Sequence, residues 1–401
     1  MTETLYKPLV LRKNEDRRLR QGHLWVFSNE VDTARSPLKA FAPGEAVEIR
    51  DHRGKPLGTG YVNPNSLISA RLVSRDPRHP FDASLIVHRL KVALALRERL
   101  YRHPYYRLVY GESDGLPGLV VDRYGPVLVA QITTAGMEAR RDDILRALDK
   151  VLRPSGVLWR NDAPVRELEG LPLYVETALG EVPDTVLLRE GEAEFEVPLA
   201  GGQKTGWFYD QADNRRELPR LVAGARVLDL FSYVGGWGIQ AALAGAREVW
   251  CLDGSADAVD LVARNAELNG VADRVRASQG DAFEALKALR EANERFEVVI
   301  VDPPAFIKRR KDLKKGEEAY RRLNQLAMAL IPRDGFLISC SCSYHMGGER
   351  FPRLLHQAAR HVDRSLQVLR LGGQSADHPI HPAIPETNYL KAVFARVVWG
   401  L

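Results

Sequence analysis

Two short runs in this chain carry side chains suited to covalent and acid–base chemistry. In LISCSCSYHM, Leu337 to Met346, Cys340 and Cys342 stand one residue apart just after an apolar, strand-like stretch, and they are two of only 3 cysteines. In VIVDPPAF, Asp302 ends another apolar run and is followed by Pro303, Pro304 and, after Ala305, Phe306. A thiolate is a strong nucleophile, but cysteine ionises at about 8.5 unless a cation or hydrogen bonds favour the anion. Two consecutive prolines donate nothing to a ladder and stiffen a turn, so Asp302 and the nearby carbonyls are held rigidly toward a planar substrate. Phe306 is then available to stack on a base. The competing reading makes both cysteines buried strand fillers, and it stays open for Cys340.

The remaining cysteine, Cys251 in EVWCLD, reads as a small buried hydrophobe. An odd, sparse set builds no disulfide framework, and without a C-x-x-C pair or a second ligand cluster no metal site is expected. The chain has 401 residues, too many for one ordinary core. No apolar stretch approaches the roughly 20 residues that span a bilayer, and the N-terminus lacks the apolar core of a signal peptide. A cytoplasmic enzyme without membrane contact is the expectation. Net charge is +5, and basic residues gather in LRKNEDRRLRQGH and in IKRRKDLKKGEEAYRR at 307–322. Such clusters neutralise phosphates or simply face solvent.

The elements that must position these residues fall into three blocks. Residues 1–74 hold short β-prone pieces (HLWVFSNEV, AVEIRD, LGTGYV, LISARLVS) separated by turn signals, as in a small barrel. Residues 75–188 read as a small α+β module, with the helix ASLIVHRLKVALALRERLYR, the strands LPGLVVDRY and VLVAQITT, a second helix MEARRDDILRALDKVL, and VLWRND. Residues 189–401 open with a hairpin-like REGEAEFEVPLAGGQKTGWFYDQ and the helical DNRRELPRLVAG. Strands ARVLDLF, REVWCLD, RVRASQGD, FEVVIVD and GFLISCSC then alternate with helical segments, which predicts a doubly wound, largely parallel α/β sheet.

In VLDLFSYVGGWG the first of these strands ends near Asp229 and enters a small-residue turn from Ser232 to Gly238, where glycines let the backbone approach a ligand. The next strand ends in Asp253, suited to accept hydrogen bonds from ribose hydroxyls. GGWG lacks the spacing of a dinucleotide fingerprint. The D-x-F-x-x-x-G-G run from Asp229 through Phe231, Ser232, Tyr233 and Gly235 to Gly236, with a strand-end acid after it, resembles motif I of class I S-adenosylmethionine-dependent methyltransferases. That resemblance implies an adenine contact from Asp281 in QGDAFEAL and places Asp302 opposite the sulfonium. On such a fold the cysteine pair acquires a use. C5 of cytosine is a poor nucleophile, and a thiolate adding to C6 makes C5 enamine-like until loss of the C5 proton expels the sulfur.

Taken together the motifs resemble the RlmI family of bacterial 23S ribosomal RNA 5-methylcytosine methyltransferases over nearly the whole chain. GHLWVFSNEV and VEIRDHRGKPLGTGYVNPNSLISAR look like that family's PUA RNA-binding domain. GESDGLPGLVVDRYG, GGQKTGWFYDQADNR, ADHPI at 376–380 and NYLKAVFARV also fit, with Gln203 where histidine is common and Trp207 a further departure. The resemblance implies a PUA-like barrel, a small α+β connector and a Rossmann-like catalytic domain, with S-adenosylmethionine as cofactor. It implies 23S ribosomal RNA as partner and admits a homodimer. Its S-C-S run matches Ser341, Cys342 and Ser343, which makes Cys342 the nucleophile, with Asp302 orienting or protonating the base edge. The cofactor would meet Asp229, Phe231, Ser232, Tyr233, Gly235, Gly236, Asp253, Asp281 and Asp302, and the substrate Pro303, Pro304 and Phe306. His378, inside ADHPI, is the resemblance's candidate for removing the C5 proton. The rival is a nitrogen methyltransferase acting on guanine or adenine, which needs no thiol; an RNA-binding protein without turnover would not need the cofactor.

Overall fold

A computed structural model describes residues 6–203 and 205–400. The chain forms two compact units, one built from residues 1–184, 198–207 and 377–387, the other from 185–197, 208–376 and 388–401.

The first unit contains two sheets. Lys7–Val10, Glu45–Arg50, Pro56–Val62, Ala70–Ser74 and Trp25–Val26 lie in that order in one five-stranded sheet, closing over Leu9, Val26, Val47, Ile49, Val62 and Leu72. The DHRGK turn is held by Asp51, whose Oδ1 accepts the N–H groups of Arg53 and Lys55 at 2.9 Å each, while Gly54 takes a φ of 86°. The second sheet runs Tyr174–Gly180, Gly156–Asn161, Val127–Ile132, Leu119–Tyr124, Tyr105–Tyr110. The helices Ala83–Leu100 and Arg141–Leu152 supply Ile86, Leu90, Ile144 and Leu148 to its core. Tyr61 of the first sheet enters that core too, its hydroxyl donating to the Pro117 carbonyl at 2.7 Å.

The GESDG stretch is structural. Asp114 takes a two-pronged ion pair from the fully buried Arg97, at 2.6 and 2.8 Å, and Arg97 Nη2 also donates to the Asp377 carbonyl at 2.7 Å. Removing one partner of a buried pair leaves an uncompensated charge. Arg97→Met is therefore expected to destabilise the first unit by about 3–5 kcal/mol, read as a lower urea midpoint, whereas a change below about 1 kcal/mol would mean that water replaces the pair.

In the second unit the strands β1 (Arg226–Leu230), β2 (Glu248–Asp253), β3 (Val275–Gln279), β4 (Val298–Val301), β5 (Asp334–Ser341), β6 (Arg364–Gly372) and β7 (Lys391–Trp399) form one sheet of order β3-β2-β1-β4-β5-β7-β6. The pairs among β1 to β5 are parallel, and β7 joins β5 and β6 antiparallel. Helices α1 (Gly236–Leu243), α2 (Ala256–Leu268), α3 (Ala282–Glu291), α4 (Leu313–Ala329) and α5 (Arg350–Arg360) alternate with the strands. Val298 to Val301 are wholly buried, as a central strand covered on both faces requires.

Among the described residues, five strands escape the periodicity reading: Lys7–Val10, Tyr105–Tyr110, Tyr174–Gly180, β6 and β7. Tyr174–Gly180 and β6 are edge strands with exposed faces, so neither shows a clean apolar alternation. The DNRRELPRLVAG stretch, expected as one helix, is two short turns, Ala212–Arg215 and Leu218–Arg220, because Pro219 offers no N–H to continue a helix.

Candidate active site

Asp229, Asp253, Asp281, Asp302 and Cys342 stand at or just past the carboxyl ends of β1, β2, β3, β4 and β5. This is the rim at which open α/β sheets bind ligands. Asp229 is wholly buried, and its Oδ2 accepts the Gly238 N–H at 2.9 Å, fixing the start of α1 against β1. Gly238 is obligatory there, since a Cβ would come within 2.3 Å of the Cys251 sulfur. Burial pushes the Asp229 carboxyl well above the usual range, with Asp302 close by adding to the shift and the Gly238 N–H opposing it.

Between Asp229 and α1 the chain makes a tight turn in which Phe231, Tyr233 and Gly235 take φ values of 63°, 49° and 90°. Left-handed backbone at two non-glycine residues costs on the order of 1–3 kcal/mol each and persists where surroundings enforce it. Asp253 does the enforcing. Its Oδ2 accepts the Tyr233 N–H at 2.8 Å and its Oδ1 the Ser255 N–H at 3.0 Å, while Ser232 N–H donates to the Leu252 carbonyl at 3.1 Å. Asp281 is exposed and caps α3, its Oδ1 accepting from the N–H groups of Phe283 and Glu284 at 2.9 and 3.1 Å. Among the described residues, the buried Asp229 Oδ1 and Ser232 Oγ have no hydrogen-bond partner. An acidic, glycine-lined turn with unsatisfied buried oxygens suits a ligand bearing an ammonium group and ribose hydroxyls.

Asp302 is partly buried and its Oδ2 accepts from both Gln211 Nε2, at 2.9 Å, and Trp237 Nε1, at 3.1 Å. Pro303 is buried, Pro304 exposed, and Phe306 half-buried with its ring 4.8 Å from that of Tyr320. Cys342 is partly exposed, its sulfur 3.9 Å from the Pro303 carbonyl oxygen, so the thiol and the Asp-Pro-Pro turn share the ends of adjacent strands. Cys340 is fully buried, and burial drives its thiol well above the ordinary range. It behaves as the strand filler that the alternative reading describes.

Other groups around this rim carry no signal in sequence spacing. Gln211 and Trp237 grip Asp302 from distant segments, and Asp210 holds the Tyr389 hydroxyl. Lys391, at the start of β7, donates from Nζ to the Ser343 and Tyr389 carbonyls at 2.6 Å each. Trp237 and Lys391 lie inside motifs visible in the chain, GGWG and NYLKAVFARV, but nothing local distinguishes them. His378 belongs to the first unit. It is buried, with Nδ1 2.8 Å from Asp377 Oδ1 and its ring 5.1 Å from that of Tyr110.

Comparison with known proteins agrees with this architecture. Residues 173–396 match the model of an S-adenosylmethionine-dependent methyltransferase family, and residues 9–75 match a PUA-like domain. A solved structure of SMU.776 complexed with SAH superposes with a TM-score of 0.83 at 21% identity, covering 97% of this chain and 100% of the other. Proteins named ribosomal RNA large subunit methyltransferase I, from Klebsiella pneumoniae and Salmonella arizonae, are each 37% identical to it, covering 99% of this chain and 100% of their own.

The fold and its glycine-turn rim are those of an S-adenosylmethionine-dependent methyltransferase preceded by a PUA-like domain. Within that class the chain belongs to the ribosomal RNA large subunit methyltransferase I family.

Proposed function

We propose that the protein methylates C5 of a cytosine in 23S ribosomal RNA through a covalent bond between Cys342 and C6. The observation that carries this reading is Cys342 itself, partly exposed at the end of β5 and 3.9 Å from the Pro303 carbonyl oxygen. An enzyme methylating an exocyclic or ring nitrogen uses that nitrogen's lone pair and has no task for a thiol at this position.

S-adenosylmethionine, when bound, supplies the electrophilic methyl group. The turn from Asp229 to Gly236, with Asp253 and Asp281, would hold it, and the buried oxygens of Asp229 and Ser232 would be open to its polar groups. The Cys342 thiolate forms a bond to C6, and the C5=C6 electron pair shifts so that C5 becomes nucleophilic. Asp302, steadied by Gln211 and Trp237, meets the base edge and gives it the proton that offsets the negative charge the thiolate brings to the ring, taking that proton back when the sulfur leaves. After C5 is methylated its proton passes to water, the electron pair of the C5–H bond re-forms C5=C6, and the sulfur departs as thiolate. Phe306 and the Pro303–Pro304 turn line the place of the extruded base.

Three modules divide the work in this reading: residues 1–74 and 75–188 grip the RNA, and 189–401 perform the transfer, in the cytoplasm where ribosomal RNA is assembled. Lys308, Arg309, Arg310, Lys311, Lys314 and Lys315 are all exposed next to the Asp-Pro-Pro turn in sequence and suit the phosphate backbone. Replacing Lys308, Arg309 and Lys311 with alanine is expected to weaken RNA binding and flatten its salt dependence by roughly 0.7–0.9 log units per log salt for each phosphate no longer neutralised. A filter-binding salt titration reads this, and an unchanged slope removes the segment from the interface.

The deciding experiment is nucleoside mass spectrometry of unmodified 23S ribosomal RNA after incubation with protein and S-adenosylmethionine. 5-Methylcytosine supports the proposal. A methylated guanine or adenine in its place replaces it with the nitrogen reading.

A further inference from the structure

We infer that Lys391 is the positioning cation that holds the Cys342 sulfur as a thiolate, an inference that rests on Cys342 being the nucleophile. The sheet brings the two together. β7 pairs antiparallel with β5 so that Lys391 lies directly opposite Ser341, the residue before Cys342. From there the Lys391 Nζ donates to the carbonyl of Ser343, the residue after Cys342, and to that of Tyr389, at 2.6 Å each. An ammonium has three N–H donors, and two are committed to carbonyls that flank the thiol or the lysine itself.

Both of these acceptors are neutral. Among the described residues, no carboxylate lies within ion-pairing distance of Lys391, although its side chain is half-buried. A half-buried ammonium without an anion is costly, and it becomes favourable when an anion forms nearby. Burial pushes the Lys391 ammonium down to about 8, and the neighbouring Cys342 charge works in the opposite direction. Lys391 thus remains a cation at neutral pH, and each of the pair favours the charged form of the other.

Among the described residues, the neighbouring Tyr320, Cys340 and Asp302 do not supply this charge. Tyr320 from α4, with its hydroxyl 2.9 Å from Ser343 Oγ, and Cys340 from β5 are both raised by burial and stay neutral. Asp302, at the end of β4, carries no positive charge in either of its forms. When the thiol ionises, its proton passes to solvent and the thiolate–ammonium pair remains. When the sulfur attacks C6 the pair is consumed, and expulsion of the sulfur restores it.

The test uses the full chain and does not require turnover. Iodoacetamide alkylation of Cys342, followed by peptide mass across neutral and mildly alkaline pH, reports the thiolate fraction, since Cys251 and Cys340 are fully buried. The wild-type midpoint is expected below the ordinary value of about 8.5. Lys391→Met should raise the midpoint by about one unit or more, slowing alkylation at neutral pH about tenfold, while Lys391→Arg keeps it near the wild-type value. A Lys391→Met midpoint equal to wild type overturns the inference. If that variant fails to fold, a wild-type midpoint at or above the ordinary thiol value overturns it equally. Methylation assayed alongside separates the two readings. Activity that survives Cys342→Ala defeats the nucleophile assignment, whereas Cys342-dependent activity with an unmoved Lys391→Met midpoint defeats only the role of Lys391.

Discussion

Cys342→Ala is expected to lower formation of 5-methylcytosine by roughly four orders of magnitude or more, the scale seen when a covalent nucleophile is removed. The reason is chemical rather than steric. Without a bond at C6 the lone-pair density of the ring stays delocalised, and C5 does not attack a methyl donor. Cofactor binding should be unchanged, because the turn from Asp229 to Gly236 is held by Asp253 and Gly238 and does not depend on Cys342. RNA carrying 5-fluorocytosine at the target makes the same point without a rate. Fluorine does not leave C5 as a cation, so the sulfur cannot be expelled and the protein stays bonded to RNA on a denaturing gel. Wild type and Cys340→Ala should form that adduct, and Cys342→Ala should not. An adduct with Cys342→Ala, or methyl transfer at the wild-type rate, would return the cysteine pair to the role of strand fillers.

Asp302→Asn is expected to reduce the methyl-transfer rate by about 10²–10⁴-fold, the contribution of a well-placed acid–base group. The substitution keeps the shape but removes the titratable proton, and it disturbs an arrangement in which Gln211 Nε2 and Trp237 Nε1 both donate to Oδ2. An amide can satisfy those two donors through its oxygen, so the fold should survive. What it loses is a carboxyl group able to carry a proton to the base edge, and the loss should fall on kcat more than on the cofactor Kd. Single-turnover kinetics with calorimetric titration of S-adenosylmethionine separate these. A weakened Kd at an unaltered single-turnover rate would make Asp302 a cofactor ligand and nothing more.

Cys342 and Asp302 are both visible along the chain, but the groups that surround them are not. Asp229, Asp253, Asp302 and Cys342 are legible because each sits where a buried apolar run meets a turn, and Asp281 because it follows a more polar edge strand; five strands alternating with helices define a parallel sheet whose carboxyl ends must coincide. Local periodicity and the chirality of the crossovers are enough to place them. Gly238, with a sulfur where its Cβ would be, and the strained Phe231 and Tyr233 lie inside the same legible turn.

Gln211 is 91 residues from Asp302, Trp237 is 65 from it, and Lys391 is 48 from Ser343. Their roles follow from how β7 enters between β5 and β6 and from how Tyr209–Gln211 folds into a short turn, and neither element announces itself by a repeating pattern. His378, likewise, stands near the catalytic block in the sequence but is built into the first unit, where Asp377 engages its ring. Which strand ends carry acids and a thiol can be read from the chain alone, since burial and turn preferences act over a few residues. Which distant side chains steady Asp302, and which cation stands beside Cys342, emerges only in the folded molecule, because strand register and packing across the sheet are set by the whole core at once.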